Sequence, residues 1–255
     1  MALAVRTIDL NFDGGEGCDD TALMPHVTTV NVACGSHAGD EPTMRATLRA
    51  ALSLGVAVFA HPSYPDRESF GRKRMALSPR EIQRLVGEQV EALVRIAGEE
   101  GASVVGVKPH GGLYHAAASD DATAHAVASA AREVDPRLVL VTSPGSMLLA
   151  VAASLGLRAA AEGFADRGYR PDGSLVARGT DGALVRTPEQ AATQALSIAR
   201  DGAVVALDGT RIPLAVESIC LHGDTPGAAA NAAAVRAVLD AAGFALRPLA
   251  AARRA

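Results

Sequence analysis

Lys108, His110, Tyr114 and His115 stand together in the stretch VVGVKPHGGLYHAAASDD, directly after an apolar run short enough to be a buried strand. An ammonium, two imidazoles and a phenol are groups that hold anions and move protons. The same arrangement recurs in TIDLNFDGGEG (Thr7 to Gly17), TTVNVACGSHAGD (Thr28 to Asp40), VAVFAHPSYPD (Val56 to Asp66), AEGFADRGY (Ala161 to Tyr169) and SICLHGDTP (Ser218 to Pro226). One polar strand end is weak evidence of function, because loops are polar anyway. Six in series predict that one end of a sheet carries a composite site.

Asp9, Asn11, Asp13 and Glu16 crowd the end of the first strand, and strand alternation sends the first three to one side. Carboxylates confined together repel, which raises the pKa of one of them unless a cation intervenes. That suits a general base or a metal ligand; the competing reading is that Asp13 and Glu16 cap the glycine-rich turn. His37, His61, His110 and His222 each follow a strand. With Asp13 they offer ligands to a divalent metal, and equally they offer general acids, since no HExxH or H-x-x-x-H spacing selects between the two. His26 and His125 lack such a setting and are expected to be solvated. Lys108, Arg72 and Arg167 suit a carboxylate or phosphoryl group, whereas Lys73 and Arg74 also read as a solvated basic turn. Cys34, three residues before His37, allows a thiol nucleophile or a buried reduced cysteine. Neither a standard phosphate-binding loop nor a G-x-S-x-G elbow occurs, so nucleotide binding of the usual kind and serine-hydrolase chemistry lack support.

The elements that must position these residues are strands alternating with helices. Strands are predicted over Arg6 to Asn11, Val27 to Ala33, Val56 to His61, Val104 to Lys108, Leu138 to Thr142, Arg158 to Glu162 and Glu217 to His222. Ser78-Pro79-Arg80-Glu81 starts a helix with a capping box, an apolar face follows from Ile82 to Ile96 at the helical period, and Gly101 ends it. Thr187-Pro188-Glu189 opens another, and further helices are predicted over Glu41 to Leu54, Ala122 to Val134, Ser146 to Leu155 and Ala228 to Ala242. Asp208-Gly209 marks a small β-hairpin near residues 203–215, and the long connection from Glu162 to Thr187 has the character of a lid or binding loop. With 255 residues and 49% hydrophobic content there is core enough for one domain spanning 1–255. Because nearly every strand contributes a motif, a closed (β/α) barrel of the TIM type with about seven or eight parallel strands is favoured over a doubly wound sheet.

The evenly spread net charge of −4 offers no footprint for nucleic acid or anionic membrane. No apolar stretch reaches the roughly 18 to 20 residues of a membrane span, and MALAVRTIDL runs into the first motif without a cleavable signal, so a cytoplasmic location is expected. Cys18, Cys34 and Cys220 form no C-x-x-C pair and read as thiols.

Taken in order, DLNFDGGEG, NVACGSHAGD, AHPSYPD, FGRKRM, KPHGGLY, FADRGY and CLHGDTPGA resemble the LamB/YcsF family, the A subunits of prokaryotic ATP-dependent 5-oxoprolinases, over most of the chain. The resemblance implies a (β/α) barrel of the glycoside hydrolase and deacetylase type, and opening of the lactam of 5-oxoproline to L-glutamate with hydrolysis of ATP to ADP and phosphate. It further implies B and C subunits as partners, with ATP bound mainly by them, and it leaves room for a homo-oligomer. Carried onto this chain, it makes Asp13, Glu16, His61, Lys108 and His110 the catalytic set, with Asp13 or Glu16 as base and His61 or His110 as acid. Asn11, Asn31, His37, Arg72, Tyr114, Glu162, Asp166, Arg167, His222 and Asp224 are then expected to bind substrate, and Asp13, His61 and His110 to offer ligands to a divalent metal. Alternatives are a metal-dependent deacetylase of amides or carbohydrates and a non-catalytic protein that only binds the substrate. The chain departs from the family pattern at Phe12, Gly14, Phe59, Ser69, Gly112 and His115, and Gly14 beside Gly15 is expected to loosen the first loop.

Overall fold

The computed structural model of the chain describes residues 6–225 and 227–249. The first five residues, where no cleavable signal is expected, and Pro226, which ends the last motif, lie outside them. Seven parallel strands close on themselves: β1 (Thr7–Gly14), β2 (Thr29–Ala33), β3 (Ala57–His61), β4 (Val104–Val107), β5 (Val139–Thr142), β6 (Ala159–Phe164) and, after the antiparallel pair β7 (Ala203–Val205) and β8 (Arg211–Pro213), β9 (Ser218–His222). Each pairs with the next, β6 pairs with β9, and β9 closes the ring against β1. A short β10 (Ala245–Leu246) extends the sheet beside the start of β1, pairing Thr7 with Ala245. This is the expected closed parallel barrel.

Around it lie α1 (Asp20–Leu23), α2 (Glu41–Leu54), α3 (Pro79–Glu99), α4 (Gly111–Ser119), α5 (Asp121–Val134), α6 (Met147–Ser154), α7 (Pro188–Asp201) and α8 (Ala228–Ala241). Their ends follow from local chemistry. Asp40 and Thr187 cap α2 and α7 ahead of a proline in the first turn, and Ser78 and Glu81 make the reciprocal capping box of α3. Gly55 and Gly202 end α2 and α7 in the left-handed conformation. Helix α4 is not anticipated by the sequence, because Gly111-Gly112 reads as a turn. Both glycines are there for close approach: a Cβ on Gly111 would lie 2.6 Å from the Gly71 carbonyl oxygen, and one on Gly112 2.6 Å from that of Lys73. The 71–73 segment thereby passes across the start of α4 and delivers Arg72 to the barrel mouth.

Apolar side chains between barrel and helices form the larger core, while Phe59, Val139, Val141 and Ala160 fill a second cluster with Leu249. The two unusual phenylalanines are each accommodated by a glycine. The Phe59 ring lies over Gly106, where any Cβ would overlap it, and Phe12 lies against Gly14, where a Cβ would stand 2.7 Å from Val30 Cγ2 and 3.1 Å from the ring. Gly14 is therefore the last residue of β1, paired with Val32, and makes room for Phe12 rather than loosening the loop. Among the described residues no helix is long and apolar enough to cross a membrane.

Gly106→Ala should lower unfolding stability by about 1–3 kcal/mol through overpacking, and Phe59→Leu added to it should recover part of the loss. Denaturant titration of the two variants checks the pairing; equal stability of Gly106→Ala and wild type would contradict it.

Candidate functional site

Strand register decides what meets at the barrel mouth. In the β1 ladder Asp13 stands opposite Asn31 of β2 on one side and His222 of β9 on the other, and His61 ends β3 opposite Ala33. Lys108 and His110 follow β4, and their backbone N–H groups donate to the Ala60 and Pro62 carbonyls, which fixes both beside β3. The result is a cavity of about 210 Å³ whose wall includes Asp13, Glu16, His61, Lys108, His110 and His222.

At its floor, Lys108 Nζ lies 2.9 Å from Asp13 Oδ1, 3.2 Å from Glu162 Oε2 and 3.0 Å from Cys220 Sγ. Burial disfavours the ammonium, but Asp13 and Glu162 outweigh it and hold the Lys108 pKa well above the ordinary lysine value. Burial likewise pushes Asp13 up, and His61 and Lys108 more than reverse this, so Asp13 is a carboxylate. Asn31 Nδ2 donates to Asp13 Oδ1 at 2.9 Å and to Asn11 Oδ1 at 2.7 Å, and Asn11 Nδ2 donates to Ser218 Oγ at 2.7 Å. Asn11, Asn31 and Glu162 thus underlie the cavity and orient its charged groups. The acidic neighbours of Lys108 are thus Asp13 and Glu162.

A second cluster sits beside the first. His61 Nδ1 is 2.7 Å from the Lys108 carbonyl oxygen and His110 Nε2 is 2.9 Å from that of Phe70, so both nitrogens carry protons. The facing His61 Nε2 and His110 Nδ1 are 3.0 Å apart, and one proton fits between them. Burial lowers both rings, but Asp13 and Glu16 raise His61, whereas the His61 and His37 charges add to burial in holding His110 well below its usual value. That proton therefore belongs to His61. His37, also lowered by burial, is neutral; its Nε2 is 2.8 Å from Glu16 Oε1 and its Nδ1 2.8 Å from Ser63 Oγ, so it holds Glu16 in place.

His222 forms a third unit. Its Nδ1 donates to Asp166 Oδ1 at 3.0 Å, leaving Nε2 in the cavity wall 3.9 Å from Asp13 Oδ2. Asp166 also accepts from the His222 backbone N–H and the Thr225 hydroxyl, and these bonds with the His222 charge outweigh burial to keep its pKa low. The arrangement orients an imidazole for proton transfer. His61 is less suited to deliver a proton to a ligand, because both its ring nitrogens are engaged.

The long connection after β6 completes the wall. Bridges Arg167–Leu184 and Tyr169–Leu175 fold it over the mouth, where Arg178 joins Arg72 on Asp224 at 3.1 and 2.7 Å. Arg167 is buried, donating to the Ala183 and Val176 carbonyls, and burial with repulsion from Arg178 lowers its pKa. Three guanidiniums around one carboxylate leave this rim cationic. The Tyr114 hydroxyl, in the cavity wall, is buried beside Glu162, which adds to burial in raising the Tyr114 pKa well above its ordinary value. Arg178 is the residue that sequence reasoning missed; it lies in a stretch without periodicity, and only the two bridges place it. His115 also lines the cavity, whereas Lys73 and Arg74 are exposed. Cys34 is buried away from the cavity wall with its thiol pushed up to about 12 by burial, which removes the nucleophile reading.

Acid–base groups at the C-terminal mouth of a closed parallel barrel occupy the position of the active site in barrel enzymes. The model of the LamB/YcsF family matches residues 8–254, and the chain belongs to that family. The chain is similar to the A subunit of 5-oxoprolinase from Methylococcus capsulatus, with 51% identity over 94% of each chain. A crystal structure of a lactam utilization protein from Thermus thermophilus superposes with a TM-score of 0.88 at 40% identity, covering 94% of this chain and 99% of that one. The catalytic domain of a peptidoglycan N-acetylglucosamine deacetylase from Eubacterium rectale shares the fold, with a TM-score of 0.53 at 13% identity over 100% of this chain and 95% of that one.

Asp9, beneath this site, tests the electrostatics without touching the cavity wall. It accepts from the Thr28, Thr29 and Ser218 hydroxyls, yet burial, aided by Glu162, raises its pKa. A raised carboxyl contributes stability that is full below the unfolded value of about 3.9 and is lost as pH rises through the folded value. Asp9→Asn should therefore be more stable than wild type at pH 8, with the advantage shrinking toward pH 4. Thermal unfolding across that range checks it; an advantage that grows on acidification would contradict the sign.

Proposed function

We propose that this chain is the A subunit of a cytoplasmic ATP-dependent 5-oxoprolinase, which opens the lactam of 5-oxo-L-proline to L-glutamate as ATP is hydrolysed to ADP and phosphate, together with B and C subunits. The names carried by its relatives support the substrate, and the cavity supports the reaction type. The observation that carries it is the division of the wall: a cationic rim of Arg72, Arg167 and Arg178 faces proton-transfer groups across a small space. The rim suits the substrate carboxylate or a phosphoryl group placed on the lactam by ATP. Tyr114, in the cavity wall, offers a hydroxyl donor to the lactam carbonyl.

Water adds to the carbonyl carbon of the lactam that ATP has phosphorylated on oxygen, the C–N bond breaks with a proton delivered to the departing nitrogen, and a second water hydrolyses the resulting acyl phosphate to L-glutamate and phosphate. Glu16, aligned by His37, accepts from the water, and His222, aligned by Asp166, donates to the nitrogen. Lys108 keeps Asp13 ionised beside both. With no standard phosphate-binding loop in the sequence, ATP is used mainly on the partner subunits.

The isolated chain should show no 5-oxoproline-dependent ATP hydrolysis, while reconstitution with B and C subunits should yield glutamate only with ATP. In that complex His222→Gln should lower kcat by about 100-fold or more with little change in KM, as expected for loss of an acid. Robust turnover by the single chain would overturn the division of labour, and a His222→Gln defect confined to KM would overturn the acid.

A further inference from the structure

Three ligand atoms meet at one point in the cavity wall. His61 Nε2 and His110 Nδ1 are 3.0 Å apart, and Glu16 Oε1 is 3.3 Å from His110 Nδ1 and 3.7 Å from His61 Nε2. Each group is held from behind. The outer N–H of His61 is committed to the Lys108 carbonyl and that of His110 to the Phe70 carbonyl, so once an entering ion displaces the proton held between the rings, the inner nitrogens present lone pairs on the side of Glu16. Imidazoles anchored through their far nitrogen to main-chain oxygens are the outer-shell pattern of metal-binding histidines. The Phe70 carbonyl is aimed by a strained backbone: at φ 55°, Phe70 is the only non-glycine residue with positive φ among the described residues.

We propose that Glu16, His61 and His110 form a binding site for a divalent transition-metal ion, open on its remaining side to the cavity. At tetrahedral angles an ion about 2.0–2.2 Å from nitrogen and oxygen ligands sets neighbouring ligand atoms about 3.3–3.6 Å apart, and the separations of 3.0, 3.3 and 3.7 Å bracket that spacing. The ring planes of His61 and His110 are 85° apart, which lets both in-plane lone pairs reach one ion. His37 lies within the same cluster but is stacked on His110 at 6°, so no single ion lies in both planes, and it serves to position Glu16 instead. Asp13, expected as the carboxylate ligand, gives its Oδ1 to Lys108 and Asn31; its Oδ2 lies 3.4 Å from His61 Nε2, but Asp13 stands outside the cluster of Glu16, His37, His61 and His110. The other acidic group, Asp13 with Cys220 and His222, already holds the Lys108 ammonium beside two of its three members. Two imidazoles and one carboxylate favour a transition metal over Mg²⁺ or Ca²⁺. In its use the ion rests on the hydrolytic reading above, where it would hold and polarise the water beside Glu16; its binding does not depend on that reading.

The test uses the full chain, stripped with chelator and titrated with Co²⁺ as probe. Metal content after dialysis and the Co²⁺ ligand-field absorption should report one ion per chain. Glu16→Gln and His110→Ala should each weaken binding by about 100-fold or more, His37→Ala by about tenfold, and the exposed His125→Ala not at all. Should His110→Ala fail to fold, the imidazole ¹⁵N shifts of the wild-type protein decide: Zn²⁺ must move the His61 Nε2 and His110 Nδ1 resonances. Absence of stoichiometric binding, equal affinity in Glu16→Gln, or unmoved resonances would overturn the site. No substrate or partner enters these measurements, so they stand or fall separately from 5-oxoproline turnover.

Discussion

The buried ammonium of Lys108 is the interaction on which the rest of the site depends. Asp13 and Glu162 are both almost completely inaccessible, and two carboxylates at the floor of a barrel would repel one another and lose charge without a cation between them. Lys108 supplies it, and at the same time its backbone carbonyl anchors His61. One residue thereby fixes the ionisation of one cluster and the ring orientation of the next. A buried pair of this kind is not a source of stability relative to an apolar filling; its presence reflects the need to hold charge where water is scarce.

The barrel supports this arrangement through register. Inward positions of β1 carry Asp9, Asn11 and Asp13 in succession, and adjacent strands meet them with Thr29, Asn31, Ser218 and Cys220. Hydrogen bonds between these side chains satisfy the polar interior. Above it, the mouth separates into a cationic rim and a set of imidazoles and carboxylates.

Much of this was legible in the chain. Seven apolar runs marked the strands, and the polar motifs that follow six of them marked the functional end, because strand alternation and short loops leave little freedom there. Helix α4 was hidden because glycine pairs signal turns, whereas Gly111 and Gly112 serve the passage of the 71–73 backbone. The partnership of Lys108 with Glu162 and of His37 with Glu16 spans residues far apart in sequence, and only the closed ring of strands determines which carboxylate reaches which base. Arg178 gave no local signal, since its position is set by bridges within an irregular connection. Phe12 with Gly14 shows that two departures from a family pattern can be paired in space, and Phe59 is accommodated by Gly106.

The central claim is that Lys108 is the counter-ion of the buried Asp13 and Glu162 side chains, and unfolding stability tests it most directly. Lys108→Met should lose about 3–5 kcal/mol in denaturant titration at neutral pH, the cost of leaving buried charges unpaired. Adding Asp13→Asn and Glu162→Gln to that variant should recover most of the loss, because the uncompensated charges are then gone. A Lys108→Met change costing under about 1 kcal/mol, or a triple variant no more stable than the single one, would contradict the account.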